Sequence, residues 1–165
     1  MLPCVRRVRA EGMIQSVLTV CLGNICRSPV AQVLLSHRLP GLVVASAGLQ
    51  ALDGRDIDPP MRQLLQADGV QPPPHQARTL MSWMLMQASL VLVMDTQQKA
   101  HIEQHYPAAR GRVFRLLDTG VAGAGQDIPD PYLRDSLAYE RAYQLIDAGV
   151  QGWSTRIRSI GYACS

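Results

Sequence analysis

Along most of this chain, short β-branched runs alternate with stretches of helical spacing. Residues 17–20 (Val-Leu-Thr-Val) form a compact run that ends at a Gly/Asn turn, and they predict a buried strand. Ser28-Pro29 opens a helix over 30–38, since proline fits the first turn, where its missing N–H is not needed. Residues 42–46 predict a second strand closed by Gly48, and Pro59-Pro60 opens a helix ending near Gly69 with Met61, Leu64 and Leu65 on one face. Residues 71–79 read as a proline-rich loop around His75, and 80–88 have helical spacing. Residues 90–94 are the strongest strand signal and end on Asp95; 96–105 read as a helix capped by Thr96 or Asp95. A fourth strand falls at 113–116, and a Gly- and Asp-rich loop covers 118–132. A long amphipathic helix runs from Leu133 to about Ile157, with a break expected near Gly149 and Gly152.

Strands separated by helices imply crossover connections and a mainly parallel sheet covered on both faces, a three-layer α/β/α arrangement with about four strands. Ligands in such folds bind beyond the carboxyl ends of the strands. That rule points to the turns after Val20 and Ser46, and to Asp95.

Composition narrows the class. The chain has 165 residues, 47% hydrophobic and 18% charged, which suits one soluble domain with one core. A net charge of +3 is too weak and too dispersed to indicate nucleic acid, and no run approaches the ~20 apolar residues of a membrane span. The segment 1–12 is basic, lacks periodicity and precedes Met13, so it reads as a disordered extension or an over-called start; the domain is expected over 13–165. Four cysteines without a signal peptide suggest a reducing, cytoplasmic setting. No His/Cys/Asp/Glu grouping has metal-ligand spacing, and no cofactor is expected. Met81, Met84, Met86 and Trp83 read as core packing.

The segment Cys21-Leu22-Gly23-Asn24-Ile25-Cys26-Arg27-Ser28-Pro29 lies between the first strand and the first helix. A loop running into a helix N-terminus offers free backbone N–H groups and a favourable dipole to an anion. Gly23 and Asn24 are the residue types that most readily adopt positive φ, as a loop curling around a phosphate requires. Cys21 sits at the mouth of this positive field, which favours a thiolate. Arg27 supplies a planar fork for two phosphate oxygens. A carboxylic acid on a mobile loop completes such a site by protonating a leaving group; Asp127 and Asp130 both lie in the right loop, and the residues alone do not choose between them.

This segment resembles the signature of the low-molecular-weight protein tyrosine phosphatases, Cys-x5-Arg-Ser-Pro near the N-terminus. The resemblance continues at Ser46-Ala47-Gly48, His75-Gln76-Ala77-Arg78, Met94-Asp95 and Asp130-Pro131-Tyr132, spanning about 14 to 155. Ile-Pro-Asp-Pro-Tyr and Ser-Ala-Gly-Leu look like the bacterial branch, whose members often act on tyrosine autokinases controlling exopolysaccharide or capsule export. The resemblance implies a flavodoxin/Rossmann-like sheet and hydrolysis of phosphotyrosine through a phosphocysteine. Cys21 would be the nucleophile, Arg27 the phosphate clamp and Asp130 the general acid. Leu22, Gly23, Asn24, Ile25, Cys26 and Ser28 would line the anion loop.

The same resemblance implies that Ser28 hydrogen-bonds the thiolate, that Ser46 and His75 brace Asn24, and that Tyr132 walls the phosphotyrosine slot. The opposite wall would come from residues 49–53, where eukaryotic relatives carry an aromatic and this chain offers Leu49 and Leu52. Cys26 reads either as a reversible disulfide partner of Cys21 or as a small space-filling residue. Asp95 would order the nearby loops without taking part in the chemistry. The expected partner is a phosphotyrosine protein, and the protein itself a monomer or weak dimer. A thiol-linked arsenate reductase is the rival on the same fold; it needs relay cysteines, and none lies between Cys26 and Cys164.

Overall fold

The structure is a computed structural model, and it describes residues 13–119 and 125–163. Among these, four parallel strands form one sheet: β1 (Ser16–Cys21), β2 (Val43–Gly48), β3 (Leu90–Val93) and β4 (Val113–Arg115), in the order β2-β1-β3-β4. The helices are α1 (Arg27–Arg38), α2 (Pro59–Ala67), α3 (Ser82–Gln87), α4 (Thr96–His105) and α5 (Ser136–Ile160), with a 3-10 turn at Pro107–Ala109.

Alternation along each strand builds two cores. Val17, Leu90 and Leu92 face a core closed by α1, α2 and α5. Leu18, Val20, Val91 and Val93 face the opposite core with Met84, Leu85, Ile102 and Ala109. A period of two with both faces buried explains why β1 and β3 read as continuous apolar runs. The order β2-β1-β3-β4 places β1 between the strand that follows it and the strand beyond, so the chain diverges at the carboxyl ends of β1 and β3. That divergence opens the crevice of a doubly wound, flavodoxin/Rossmann-like sheet. Residues near the ends of the described chain belong to the domain, since Ile14 and Tyr162 form a parallel bridge. The expected extension, 1–12, lies outside the described residues.

Several expectations need correction. The closing helix starts at Ser136, three residues later than its pattern suggests, because Asp135 caps it by accepting from the Ala138 N–H. It is not broken at Gly149 or Gly152. Gly149 is there for packing: a Cβ would stand 2.8 Å from the Leu116 carbonyl oxygen and 2.7 Å from the Leu116 side chain. That carbonyl also accepts from Trp153 Nε1 one turn later. The methionine-rich α3 is not core throughout. Met84 is buried, but Met81 and Trp83 are 50% exposed and Met86 73%, because one turn and a half of helix has only one side against the sheet. Of the two caps expected for α4, the structure selects Asp95, which accepts from the Gln98 N–H, so this expectation stands.

Candidate active site

The loop between β1 and α1 closes around the sulfur of Cys21. The Asn24 N–H donates to Sγ at 3.2 Å, and Ser28 Oγ lies 2.9 Å from it. Ser28 Oγ accepts from Asn24 Nδ2 at 2.8 Å, which leaves its own proton available to the sulfur. Asn24 has φ 56°, the left-handed region that asparagine tolerates. It is fully buried, and its polar atoms are all engaged: Nδ2 also donates to Ser46 Oγ, Oδ1 accepts from the Arg78 N–H, and its carbonyl meets His75 Nε2 at 2.7 Å.

The loop is bound from outside through its carbonyls. Those of Cys21, Leu22 and Gly23 accept from the N–H groups of Leu49, Gln50 and Leu52, and that of Ile25 accepts from Asp58. With its carbonyls held outward, the loop is left to turn N–H groups inward, the shape of an anion nest. At Gly48 the end of β2 presses so closely on the loop that a Cβ would come within 2.5 Å of the Leu22 oxygen. The first turn of α1 carries no acidic residue and no side-chain cap, so its N-terminal field is available to an anion. Thr19 Oγ1 anchors that turn from β1 by donating to the Ser28 carbonyl.

Arg27 joins this loop to the far side of the crevice. Its guanidinium is 4% exposed, and Nη1 donates to the Ile128 carbonyl at 2.8 Å and to Asp95 Oδ2 at 3.2 Å. Nη2 stands 3.5 Å from Asp130 Oδ2. Nε is buried with no partner among the described residues. A buried charged donor left unpaired is expensive, and its presence beside the anion nest fits a bound oxyanion.

These groups line a cleft of about 200 Å³ formed by Cys21, Leu22, Gly23, Ile25, Cys26, Arg27, Gln50, Leu52, Asp130 and Tyr132. Asn24, Ser28, Ser46 and His75 lie behind the lining. Asp130 accepts from the Tyr132 N–H at 3.1 Å, and its side chain is 39% exposed. The Tyr132 hydroxyl accepts from Arg55 Nη1 at 3.1 Å. Asp127, the rival carboxylate, is turned away and held by Thr96 and Arg115. Of the two leucines expected at the second wall, Leu52 lines the cleft along with Tyr132, whereas Leu49 packs into the core on the other face of the sheet.

Cys26 donates its thiol to Asp58 Oδ2 at 3.6 Å, and Tyr139 donates to the same oxygen. Burial, reinforced by the Asp58 charge, pushes the Cys26 thiol well above its ordinary value, so it stays protonated. Sequence reasoning missed Arg55, Asp58 and Tyr139, and within the expected wall at 49–53 it did not single out Gln50. Asp58 had a signal, an acidic residue immediately before Pro59-Pro60, where only the proline pair was read, as a helix opening.

Residues 16–160 match the model of the low molecular weight phosphotyrosine protein phosphatase family. The chain belongs to this family. The probable low molecular weight protein-tyrosine-phosphatase EpsP of Ralstonia nicotianae is 43% identical over 149 residues, covering 90% of this chain and 100% of that protein. The structure of Vibrio vulnificus Wzb in complex with benzylphosphonate is 35% identical, with a TM-score of 0.80 over 87% of this chain and 99% of that one. An arginine phosphatase, YwlE of Geobacillus stearothermophilus, shares the fold at 29% identity and a TM-score of 0.80, over 88% of this chain and 94% of that one. This low molecular weight phosphatase is therefore an enzyme of the protein-tyrosine-phosphatase class, and the arsenate reductase reading is not favoured. Cys21 and Cys26 are the only cysteines among its described residues, while Cys4 and Cys164 lie outside them.

Proposed function

We propose that the phosphatase hydrolyses phosphotyrosine in two displacements within this cleft. The Cys21 sulfur attacks phosphorus in line; the S–P bond forms as the P–O bond to tyrosine breaks, and Asp130 delivers its proton to the departing phenolate oxygen. Arg27 and the inward N–H groups of residues 22–28 hold the equatorial oxygens throughout. Water then attacks phosphorus, its proton passes to Asp130, the S–P bond breaks and phosphate leaves. Ser28 donates to the sulfur as it carries negative charge, and Ser46 and His75 keep Asn24 in its left-handed conformation. Tyr132 and Leu52 grip the aromatic ring. No metal or organic cofactor takes part.

The observation that carries this reading is the convergence of Cys21, Arg27 and Asp130 on one cleft, with Arg27 Nε buried and unpartnered beside the nest. A phosphonate on a benzyl group, as bound by Vibrio vulnificus Wzb, has the chemistry this slot requires. The chain's kinship with the protein-tyrosine-phosphatases EpsP and Wzb supports a phosphotyrosine protein as substrate, and we extend the reading to a bacterial tyrosine autokinase linked to exopolysaccharide production, met in the cytoplasm by a monomeric or weakly dimeric enzyme.

Steady-state hydrolysis of a phenyl phosphate ester and a phosphotyrosine peptide, with chelator present, tests the mechanism. The wild type turns over both, does not release phosphate from phosphoarginine, and loses at least about 10^4-fold in the Cys21→Ser variant. Phosphate still protects that variant against thermal unfolding. Turnover surviving in Cys21→Ser would overturn the assignment.

A further inference from the structure

Leu133 follows the cleft residue Tyr132 and breaks two rules at once. Its φ is 61°, one of two positive values among the described non-glycine residues, and leucine lacks the polar side chain that makes this region tolerable for Asn24. Its side chain is 82% exposed, the most exposed of the large apolar side chains described. The strained turn is held on both sides. The Arg134 N–H donates to the Pro131 carbonyl at 2.9 Å, and the Leu133 N–H donates to the Tyr139 hydroxyl at 3.3 Å, itself bound to Asp58. A second leucine, Leu137, is 70% exposed on the first turn of α5. Neither side chain supports the core. An exposed leucine alone is ordinary, but backbone strain that the surroundings maintain in order to present it points to a use.

The place of this feature suggests its use. A phosphotyrosine whose ring fills the cleft leaves its main chain at the mouth, and its neighbours follow at roughly 3.8 Å per residue, the same single Cα step that separates Leu133 from the cleft residue Tyr132. We propose that Leu133, assisted by Leu137, is a specificity residue that takes an apolar side chain within two positions of the phosphotyrosine in a polypeptide substrate. The proposal rests on the reading of the cleft as a phosphotyrosine slot. It goes beyond that reading by naming what the enzyme recognises outside the ring.

Two phosphotyrosine peptides, identical except for leucine or serine at the flanking positions, are compared with a phenyl phosphate ester that has no flanking residues. The wild type is expected to favour the leucine peptide by about five- to tenfold in kcat/KM, mainly through KM, as partial burial of one apolar side chain implies. Leu133→Asn keeps a residue that accepts positive φ but removes the apolar group, so it should abolish the preference and leave ester hydrolysis within about twofold of wild type. Leu133→Met should restore the preference. Equal treatment of the two peptides by the wild type would overturn the proposal. An equal loss on ester and peptides in Leu133→Asn would also overturn it, making Leu133 a brace for Asp130. Failure of the wild type on the ester would instead remove the slot reading, and the proposal with it.

Discussion

The anion loop and the acid loop of this phosphatase meet across one cleft but are built in opposite ways. In the anion loop, Asn24 and Ser28 are 0% exposed, and the carbonyls from Cys21 to Ile25 are tied to residues 49–58 and His75. In the acid loop, Asp130 is 39% exposed, its carboxylate is held by one backbone N–H and a 3.5 Å approach to Arg27, and the next strong restraint is the strained turn at Leu133. In the proposed mechanism the difference follows from two jobs. A nest for an oxyanion works through preorganised dipoles that must not relax. A proton donor that serves as base in the next half-reaction must meet solvent and shift position between steps.

Arg27 is the link between the two, so breaking it should have the largest effect. Arg27→Ala removes the phosphate fork and leaves Asp95 and Asp130 without their cation; turnover should fall about 10^3-fold or more, with phosphate protection lost as well, measured by kinetics and thermal shift. Asp130→Asn separates the loops chemically. It should reduce turnover of a phenyl ester with a poor leaving group about 10^2- to 10^3-fold, but have little effect on an ester whose phenol leaves without a proton, and the nest should bind phosphate as before. A loss independent of the leaving group would show that Asp130 is structural.

Gly48→Ala strikes the rigid partner alone. The new Cβ meets the Leu22 oxygen, so about 2 kcal/mol of stability should disappear in urea titration, together with much of the activity. The smallest effect belongs to Asp127, which pins the start of the acid loop. Burial works against its charged form, but the Thr96 hydroxyl and N–H and the Arg115 guanidinium outweigh this and hold its carboxyl below the usual carboxylate value. Its contribution is therefore present above about pH 4 and lost as pH falls through the folded value. Asp127→Asn should lower stability at pH 7 by at most about 0.5 kcal/mol, given its solvent exposure, and by progressively less as pH is taken below about 4.

The rigid half was the legible half. Its strand, turn and helix start lie within 20 consecutive residues, and period-two burial on both faces made β1 and β3 continuous apolar runs. What escaped was long-range. Whether Asp127 or Asp130 faces the cleft depends on Thr96 and Arg115, far from either in sequence. Gly149 and Gly152 read as breakers because glycine weakens an isolated helix, whereas Gly149 answers to the backbone of Leu116. Asp58 and Tyr139 are 81 residues apart, and no local pattern could pair them. The exposed methionines and tryptophan of α3 were misjudged because apolar composition does not say which side of so short a helix faces the sheet.

The bond from Arg27 to the Ile128 carbonyl, which spans 101 residues, also has a meaning in time. At synthesis rates of about 5–20 residues per second, Cys21 and Arg27 precede Ile128 and Asp130 by roughly 5–20 s. During that interval a nascent chain carries the thiol without the segment that closes over it, and Arg27 has neither Ile128 nor Asp130 to hold. A chain interrupted before residue 128 would keep the thiol and lack Asp130, so on the proposed mechanism catalytic competence arrives only with the last third of the protein.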